Sequence, residues 1–280
     1  MKSATSTLQE QLALQPGIFM TEPKEPNFFS DDEQYSKGIT RYSGLFSQAS
    51  GGDLLGEAST HYTKLPTYSQ SVERMREHLT DVRLIYVMRH PIDRLVSHYI
   101  HEWSMGNINC GIDEAVDKYP ELVFYSQYAM QLRPFFFAYG RNTVLPVFFD
   151  KLTNFPQTEL ERVCRFIGYK GSPKWAEGIK PNNVSSQRLR RFPLYDFVVT
   201  SSLATQLRRV LIPQRCRDWV KDRLTMKKRP VLSDETKILL ETKFNQDLEQ
   251  LGKWLGVSLC CDNFKQLTGS RDLEWVAFDD

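Results

Sequence analysis

The sequence lacks several features that would place it in a common class of protein. No run of about 18 apolar residues occurs, so no segment is predicted to span a membrane. No apolar core follows Lys2, so the start does not resemble a signal peptide. The net charge is only +2, which gives no whole-molecule argument for binding nucleic acid. We therefore expect a cytoplasmic protein with no nucleic-acid partner and no membrane span, although a membrane-anchored enzyme trimmed of its anchor would look the same.

Cysteine is also scarce, with five residues scattered over 280 positions and no C-x-x-C pair. An odd, dispersed set does not form a disulfide framework, and without paired cysteines a structural zinc site is not expected. The adjacent Cys260 and Cys261 are predicted to be a reduced pair. We predict that the protein requires no metal.

What is present is an alternation of helical stripes and short apolar runs, without repeats or linkers. This pattern predicts a single α/β domain over residues 1–280, with a parallel sheet flanked by helices. Strands are predicted at 18–20, 54–57, 82–88 and 143–149. The run 82–88 is nearly continuous in apolar residues, as in a central parallel strand, whereas Pro146 indicates an edge or distorted strand. Helices are predicted at 5–14, 31–46, 66–79, from Asp93 onward, at 125–137 and before Gly168.

The last third of the chain is predicted to be mostly helical. Ser233 is a predicted N-cap, and Gly256 is predicted to end the helix that follows it. Between them a regular stripe of apolar residues is predicted to face the core: Leu240, Phe244, Leu248, Leu251 and Leu255.

Small and hydroxyl residues precede the first predicted helix, in the order Lys2-Ser3-Ala4-Thr5-Ser6-Thr7. The N–H groups at a helix N-terminus point outward and favour an anion, and a lysine adds a full positive charge. The stretch is a phosphate cradle in principle, although a simple helix cap has the same composition. It is not a nucleotide-binding P-loop, because Gly-x4-Gly-Lys-Ser/Thr is absent.

A second candidate phosphate site follows the strongest strand. Arg89 comes directly after residues 82–88, and Ser97 lies eight residues later in a predicted helix. Ligands of parallel α/β sheets bind beyond the carboxyl ends of the strands, and an arginine with a hydroxyl suits a phosphate monoester. The alternative is an arginine paired with an acid and a serine that faces solvent.

Taken together, these two stretches resemble the donor-binding elements of the sulfotransferase superfamily that uses 3′-phosphoadenosine 5′-phosphosulfate (PAPS). The resemblance is to the heparan sulfate type and its bacterial relatives, and it covers roughly residues 1 to 170. Four further stretches carry it in the same order: Glu25-Pro26-Asn27-Phe28-Phe29, residues 56–62, residues 125–132 and Phe166-Ile167-Gly168.

The resemblance implies a P-loop-NTPase-like three-layer sandwich, with a central parallel sheet between helices and a helical C-terminal third. Family members carry a strand directly before the Lys-Ser loop, and that first strand is missing here. Ala4 stands where the family has glycine. Unlike glycine, alanine is penalised for a positive φ. The five residues Lys2, Ser3, Ala4, Thr5 and Ser6 are implied to bind the 5′-phosphosulfate. Arg89 and Ser97 are implied to bind the 3′-phosphate.

The implied reaction is in-line attack of an acceptor on the sulfur of PAPS, releasing adenosine 3′,5′-bisphosphate. Lys2 and Thr5 would stabilise the leaving group. Glu25 is the implied general base, ahead of His61 and Glu22. The acceptor is a hydroxyl or an amine; the heparan-type resemblance suggests a carbohydrate, while lipid, polyketide and phenol acceptors stay open. The basic stretch 180–188 is either a loop that closes over the nucleotide or a solvated loop.

Two other functions fit the same residues. One is a nucleotide-dependent phosphotransferase of the kinase type, against which the absent P-loop motif counts. The other is a truncated, non-catalytic nucleotide-binding protein, which the missing first strand favours. The oligomeric state cannot be read from the sequence.

Overall fold

The structure is a computed structural model that describes residues 3–178, 226 and 228–277. Lys2, Cys216 and the basic stretch 180–188 lie outside the described residues. Across the described ranges, no helix is both long and apolar enough to cross a membrane.

Helices and strands alternate, as the sequence predicts for an α/β protein. The strands are β1 (Ile18–Met20), β2 (Leu54–Gly56), β3 (Leu84–Met88) and β4 (Val144–Phe148). The helices of the first half are α1 (Thr5–Ala13), α2 (Asp32–Ser36), α3 (Ile39–Ser43), α4 (Ser71–His78), α5 (Pro91–Met105), α6 (Ile112–Lys118), α7 (Glu121–Phe124) and α8 (Tyr128–Tyr139). The later helices are α9 (Phe149–Asn154), α10 (Pro156–Phe166), α11 (Asp234–Leu255) and α12 (Phe264–Ser270).

The four strands form two parallel pairs instead of the one central sheet that the sequence predicts. Ile18 of β1 aligns with Leu54 of β2, and Leu84 of β3 aligns with Val144 of β4. Among the described residues, no strand joins β2 to β3. The predicted sheet is therefore divided at its centre.

Burial differs sharply between the two strands of the second pair. All five residues of β4 are buried, whereas the first four of β3 are only partly buried. We predicted 82–88 to be the central strand and the Pro146 strand to be an edge. Within the described ranges, β4, which contains Pro146, pairs with a strand on one side only, as an edge strand does. β3 also pairs on one side only there, so it is not a central strand in those ranges. Its free edge explains why a strongly apolar strand stays partly exposed.

Two apolar clusters build the core. The smaller packs α1, β1, β4 and α10 together through Leu8, Ile18, Val147 and Leu160. The larger contains the predicted stripe of α11, all five residues of which are buried. Ser233 accepts a hydrogen bond from the Thr236 N–H and Gly256 ends the helix at a φ of 67°, so both predicted caps are confirmed.

Two predicted helices have different limits. The helix predicted over 31–46 is interrupted at Gly38, whose φ of 80° is incompatible with a continuous helix, and divides into α2 and α3. The helix predicted from residue 66 begins only at Ser71. The Gln131 side chain hydrogen-bonds both the N–H and the C=O of Leu65, which holds the preceding segment against α8 and out of the helix.

Candidate active site

The N-terminus of α1 forms the first part of the site. Ala4 is the residue before the helix, and its φ of 64° and ψ of 21° lie in the left-handed region. Such a conformation costs an alanine about 1–2 kcal/mol, and the family glycine would adopt it freely. The Ala4 side chain cannot cap the helix, so the positive end of the helix dipole is open to an anion. Ser3, directly before it, is buried.

Lys24 links the loop after β1 to this helix N-terminus. Its Nζ donates to the Oγ of Ser6 at 2.9 Å and to Oε1 of Glu25 at 3.1 Å. The structure therefore brings Glu25 and Ser6, two residues that the sequence predicts to share a site, into contact with one ammonium group. Lys24 itself was not among the predicted site residues, because nothing in a single sequence separates it from a solvated surface lysine.

Both carboxylate oxygens of Glu25 are hydrogen-bonded, the second of them to the Oγ1 of Thr60 at 3.0 Å. Burial alone would raise the pKa of Glu25, but the charge and hydrogen bonds of Lys24 and the Thr60 hydroxyl outweigh it. The net pKa lies below the usual value. Glu25 is consequently ionised at neutral pH and can accept a proton.

The backbone is strained at this site. Ala4, Glu25 and Asn27 are the non-glycine residues with positive φ in the described ranges, and all three lie here. The Asn27 N–H donates to the Oγ of Ser59 at 3.0 Å, and that hydroxyl donates to Glu57 at 2.8 Å. Strained non-glycine residues persist only when the surrounding contacts hold them, and they concentrate at functional sites.

Glu57 is a titratable group that the sequence did not identify. Burial raises its pKa to about 7, although the hydrogen bond from Ser59 acts in the opposite direction. A carboxyl group with a pKa near 7 is suited to general acid or base chemistry. The stretch 56–62, which contains Glu57, was identified from the sequence. The burial that shifts the pKa of Glu57 depends on residues far away in the sequence.

The loop after β2 supplies two further groups. The His61 ring stacks on Tyr68 with centroids 4.5 Å apart, and burial together with the charge of Lys64 lowers its pKa to about 4. His61 is therefore neutral at pH 7 and a weak base. Lys64 is only 7% exposed; burial lowers its pKa to about 8, against the opposing charge of Glu25. Glu22, the remaining candidate base, is exposed.

Arg89 and Ser97 are in direct contact, as the predicted phosphate site requires. The Arg89 Nη1 donates to the Oγ of Ser97 at 3.1 Å, and its guanidinium lies 4.4 Å from the centre of the Phe149 ring. The Tyr128 hydroxyl accepts from the Arg89 N–H at 3.2 Å and donates to the Arg89 carbonyl. Ser97 is buried, so the alternative of a serine facing solvent is wrong.

Two cations from the last third of the chain lie beside this pair. Asp93 accepts from Arg229 Nη2 at 2.9 Å and from Lys265 Nζ at 2.6 Å. Burial would raise the pKa of Asp93, but Lys265 and the neighbouring arginines hold the pKa below its usual value. Sequence reasoning missed both cations because well over a hundred residues separate them from Asp93.

The two histidines that follow Arg89 within ten residues, His90 and His98, have partners within the protein. His90 Nε2 lies 3.1 Å from the carbonyl of Cys261, and buried His98 contacts Glu102 at 3.4 Å. Cys260 and Cys261 are not joined in a disulfide in the structure, and Cys261 is buried.

One cavity of about 690 Å³ lies beside these elements, although Glu25, Arg89 and Ser97 do not line it themselves. Ser3 and Thr5 of the helix N-terminus line it, as do Thr60 and Lys64 of the loop after β2 and Tyr128, which holds Arg89. Its size is that of an ordinary small-molecule site. In the part of the chain that the structure describes, no three His, Cys, Asp or Glu side chains cluster as a metal site would require.

Comparison with known proteins identifies the family of the chain. The sequence model of the sulfotransferase family matches residues 2–173, more than half of the chain. The chain therefore belongs to the sulfotransferase family. The matched region contains every residue that the sequence predicts to bind the donor or to act as the base.

Two mouse enzymes are similar to the chain, namely heparan sulfate glucosamine 3-O-sulfotransferases 3B1 and 3A1. Each is 28% identical over 181 residues, which cover 60% of this chain and 44% of the mouse enzyme. The chain thus spans less than half the length of these relatives. A sulfotransferase from Alicyclobacillus acidocaldarius has a similar crystal structure, with a TM-score of 0.53 at 22% identity over 65% of this chain and 84% of that one. This likeness shows a shared fold.

Proposed function

We propose that the chain transfers a sulfuryl group from PAPS to a hydroxyl or amine acceptor, without a metal, and releases adenosine 3′,5′-bisphosphate. The observation that carries the proposal is the shared cavity. It is lined by Ser3 and Thr5 at the N-terminus of α1, by Thr60, which bonds to Glu25, and by Tyr128, which bonds to the backbone of Arg89. The proposed fold is a single P-loop-NTPase-like three-layer domain over residues 1–280, of which the two parallel strand pairs are parts.

Donor binding uses two separate phosphate sites. The N–H groups of α1, with the hydroxyls of Ser3, Thr5 and Ser6 and the ammonium of Lys2, bind the 5′-phosphosulfate. The left-handed Ala4 turns the chain so that these groups face one anion. Arg89 binds the 3′-phosphate together with the Ser97 hydroxyl that it contacts, since a guanidinium fork matches the geometry of a phosphate.

The chemistry takes place near Glu25, whose carboxylate accepts a hydrogen bond from Thr60 in the cavity wall. An acceptor oxygen or nitrogen attacks the sulfur, a new bond to sulfur forms, and the bond from sulfur to the bridging phosphate oxygen breaks. Negative charge then grows on the 5′-phosphate, where Lys2, Thr5 and the helix N-terminus stabilise it. Glu25 takes the acceptor proton, and Thr60 and Lys24 orient its carboxylate.

A carbohydrate is the acceptor class that we favour. The two mouse relatives are named for the glucosamine of heparan sulfate, their acceptor. Lys24 and the largely buried Lys64 place two cations close to Glu25, which suits an acceptor that already carries anionic groups. Both the acceptor class and the donor are proposals for this chain.

The test is turnover of PAPS with a panel of acceptors, namely a heparan sulfate oligosaccharide, its desulfated form and 4-nitrophenol. We expect adenosine 3′,5′-bisphosphate release with an oligosaccharide, and neither binding nor consumption of ATP with Mg²⁺. Transfer from ATP without PAPS turnover would establish a phosphotransferase instead. Tight binding of adenosine 3′,5′-bisphosphate with no transfer to any acceptor would indicate a non-catalytic nucleotide-binding protein.

A further inference from the structure

Two consecutive hydroxyl residues in the loop after β2, Ser59 and Thr60, hold the loop that carries the proposed base. Thr60 donates from its Oγ1 to Oε2 of Glu25 at 3.0 Å. The Oγ of Ser59 accepts from the Asn27 N–H, also at 3.0 Å. Thr60 therefore binds the carboxylate itself, while Ser59 binds the backbone two residues further along. The two contacts hold the same loop at two points.

The backbone of this loop adopts a conformation that needs such support. Glu25 and Asn27 have positive φ angles of 61° and 52°, which residues with side chains keep only where surrounding contacts hold them. Pro26 has no N–H, so the Asn27 N–H is the first backbone donor after Glu25. The Asn27 carbonyl accepts from the N–H groups of Ser30 and Asp31 at 3.1 and 2.9 Å. Asn27 is thus held on both sides, and the hydroxyl of the loop after β2 supplies the contact nearer to Glu25 in the chain.

Glu57 determines which way the Ser59 hydroxyl points. The Oγ of Ser59 donates to Oε2 of Glu57 at 2.8 Å. A serine hydroxyl has one proton and two acceptor sites, so a proton directed at Glu57 leaves a lone pair for the Asn27 N–H. Burial raises the pKa of Glu57 to about 7, and an oxygen of this group can accept the proton in either ionisation state. The contacts therefore run from Glu57 through Ser59 to the backbone beside Glu25.

Aromatic packing holds the two loops together. Phe28 and Phe29, directly after Asn27, are both buried. The Phe29 ring meets the ring of Tyr62 edge-on, with centroids 5.7 Å apart, and Tyr62 lies three residues after Ser59. The loops are thus joined by a ring contact as well as by hydrogen bonds. The serine that holds Asn27 is therefore itself held by the core.

We infer that Ser59 and Glu57 are positioning residues, which hold the backbone of residues 25–27 so that Glu25 presents its carboxylate to the acceptor. Glu57 acts through Ser59, and Ser59 acts through Asn27, so neither needs to touch the acceptor. The inference rests on the proposed role of Glu25 as the base. A misplacement of about 1 Å can cost about 10²-fold in rate, so losing this support should lower turnover with little change in nucleotide affinity.

The first test measures steady-state turnover together with the Kd for adenosine 3′,5′-bisphosphate. We expect Ser59→Ala and Glu57→Ala each to lower kcat about 10- to 100-fold, with the Kd unchanged within about twofold. Ser59→Thr keeps the hydroxyl and Glu57→Gln keeps an oxygen acceptor, so both should stay within about threefold of the unmodified protein. The matched control is Ser104→Ala, which removes a hydrogen bond from a buried serine to the His101 carbonyl in α5. It should change neither quantity.

A double-mutant cycle separates positioning from a general loss of stability. In the Glu25→Gln variant, adding Ser59→Ala should lower the residual kcat less than about twofold, because no base is left to position. A loss by the same factor in both backgrounds would overturn the inference. An unchanged kcat in Ser59→Ala, or an equal loss in Ser104→Ala, would overturn it as well. Full turnover in Glu25→Gln would refute the base, and the inference with it.

Exchange of the Asn27 amide measures the contact without any reaction. Followed by NMR, the Asn27 N–H should exchange about tenfold or more faster in Ser59→Ala and in Glu57→Ala, and at an unchanged rate in Ser104→Ala. Glu57→Ala leaves Ser59 in place, so it serves if Ser59→Ala does not fold. Unchanged exchange at Asn27, with turnover still lost in Glu25→Gln, would overturn the inference and leave the proposed base standing.

Discussion

The two elements that are proposed to bind the donor, Arg89 and the N-terminus of α1, are held in place by very different contacts. Arg89 is fixed on both sides of its backbone by the Tyr128 hydroxyl, and its side chain lies between Ser97 and the Phe149 ring. The N-terminus of α1 instead begins with a strained Ala4 that makes no side-chain cap, above a cavity whose strand edges are unpaired in the described ranges.

This difference predicts that the two elements affect different quantities, namely nucleotide affinity and turnover. The arginine element is preorganised, so it should dominate the affinity for the nucleotide. In the proposed mechanism the helix N-terminus and the Glu25 loop touch the reacting atoms, so changes there should act on turnover more than on affinity. Four substitutions test whether the two elements divide affinity and turnover in this way.

Replacing the proposed base should have the largest effect. We expect Glu25→Gln to lower kcat about 10²- to 10⁴-fold, because the amide cannot accept the acceptor proton. The Kd for adenosine 3′,5′-bisphosphate should stay within about twofold. Steady-state PAPS turnover and calorimetric titration measure the two quantities.

The matched control is Glu33→Gln, which removes a carboxylate that pairs with Lys37 on the surface of α2. It should leave both quantities unchanged. If the Glu25 variant keeps its turnover, Glu57 becomes the candidate base, and Glu57→Gln should then show the loss.

Removing the arginine should affect affinity instead. Arg89→Ala removes a charge-assisted contact worth about 1.5–3 kcal/mol, so adenosine 3′,5′-bisphosphate should bind about 10- to 100-fold more weakly. Binding of AMP, which has no 3′-phosphate, should change little. The control is Arg83→Ala, at the opposite end of β3, where the arginine pairs with Asp81. An equal loss for both nucleotides would refute the 3′-phosphate assignment.

Glu57 should make the stability of the site depend on pH. Its pKa in the folded state is about 7, above the ordinary 4.5, so the folded state binds the proton more tightly than the unfolded state. This contribution is fully present below pH 4.5 and is lost as the pH rises through 7. Between pH 5 and pH 8 the unfolding free energy of the unmodified protein should fall by an amount on the order of 1–3 kcal/mol because of this group. The Glu57→Gln variant should lack this fall. Urea unfolding at the two pH values measures it, and parallel curves for both proteins would contradict the assignment.

The smallest effect is expected at Ala4. Ala4→Gly should stabilise the protein by about 0.5–1 kcal/mol, because glycine adopts the left-handed conformation without the steric cost and only partly loses this gain to chain entropy. Ala13→Gly, at the right-handed end of the same helix, should destabilise it by a similar amount. Urea midpoints compare them, and a destabilising Ala4→Gly would mean that the turn is not strained.

The local pattern of apolar residues was sufficient to predict most of the strands and helices. All four predicted strands are present, and the stripe of α11 is buried as its spacing predicts. The contact between Arg89 and Ser97 also follows from local order, because a strand and the helix after it fix their separation. The positive φ of Ala4 was foreseen as a penalty from the glycine that the family carries at this position.

What the sequence could not reveal depends on contacts between distant segments. The pKa values of Lys64 and Glu57 are set by burial, which a linear pattern of polar residues does not show. Lys265 and Arg229 reach Asp93 only through the packing of the last third. The sheet divides because strand pairing is a long-range property, so each strand was identifiable while its neighbour was not.

A crystal structure of the chain with adenosine 3′,5′-bisphosphate tests the central claim most directly. The account predicts one nucleotide that spans the cavity, with its 3′-phosphate within hydrogen-bond distance of Arg89 and Ser97 and its 5′-phosphate at Ser3 to Ser6. A nucleotide bound elsewhere, or one whose two phosphates cannot reach both elements together, would contradict it.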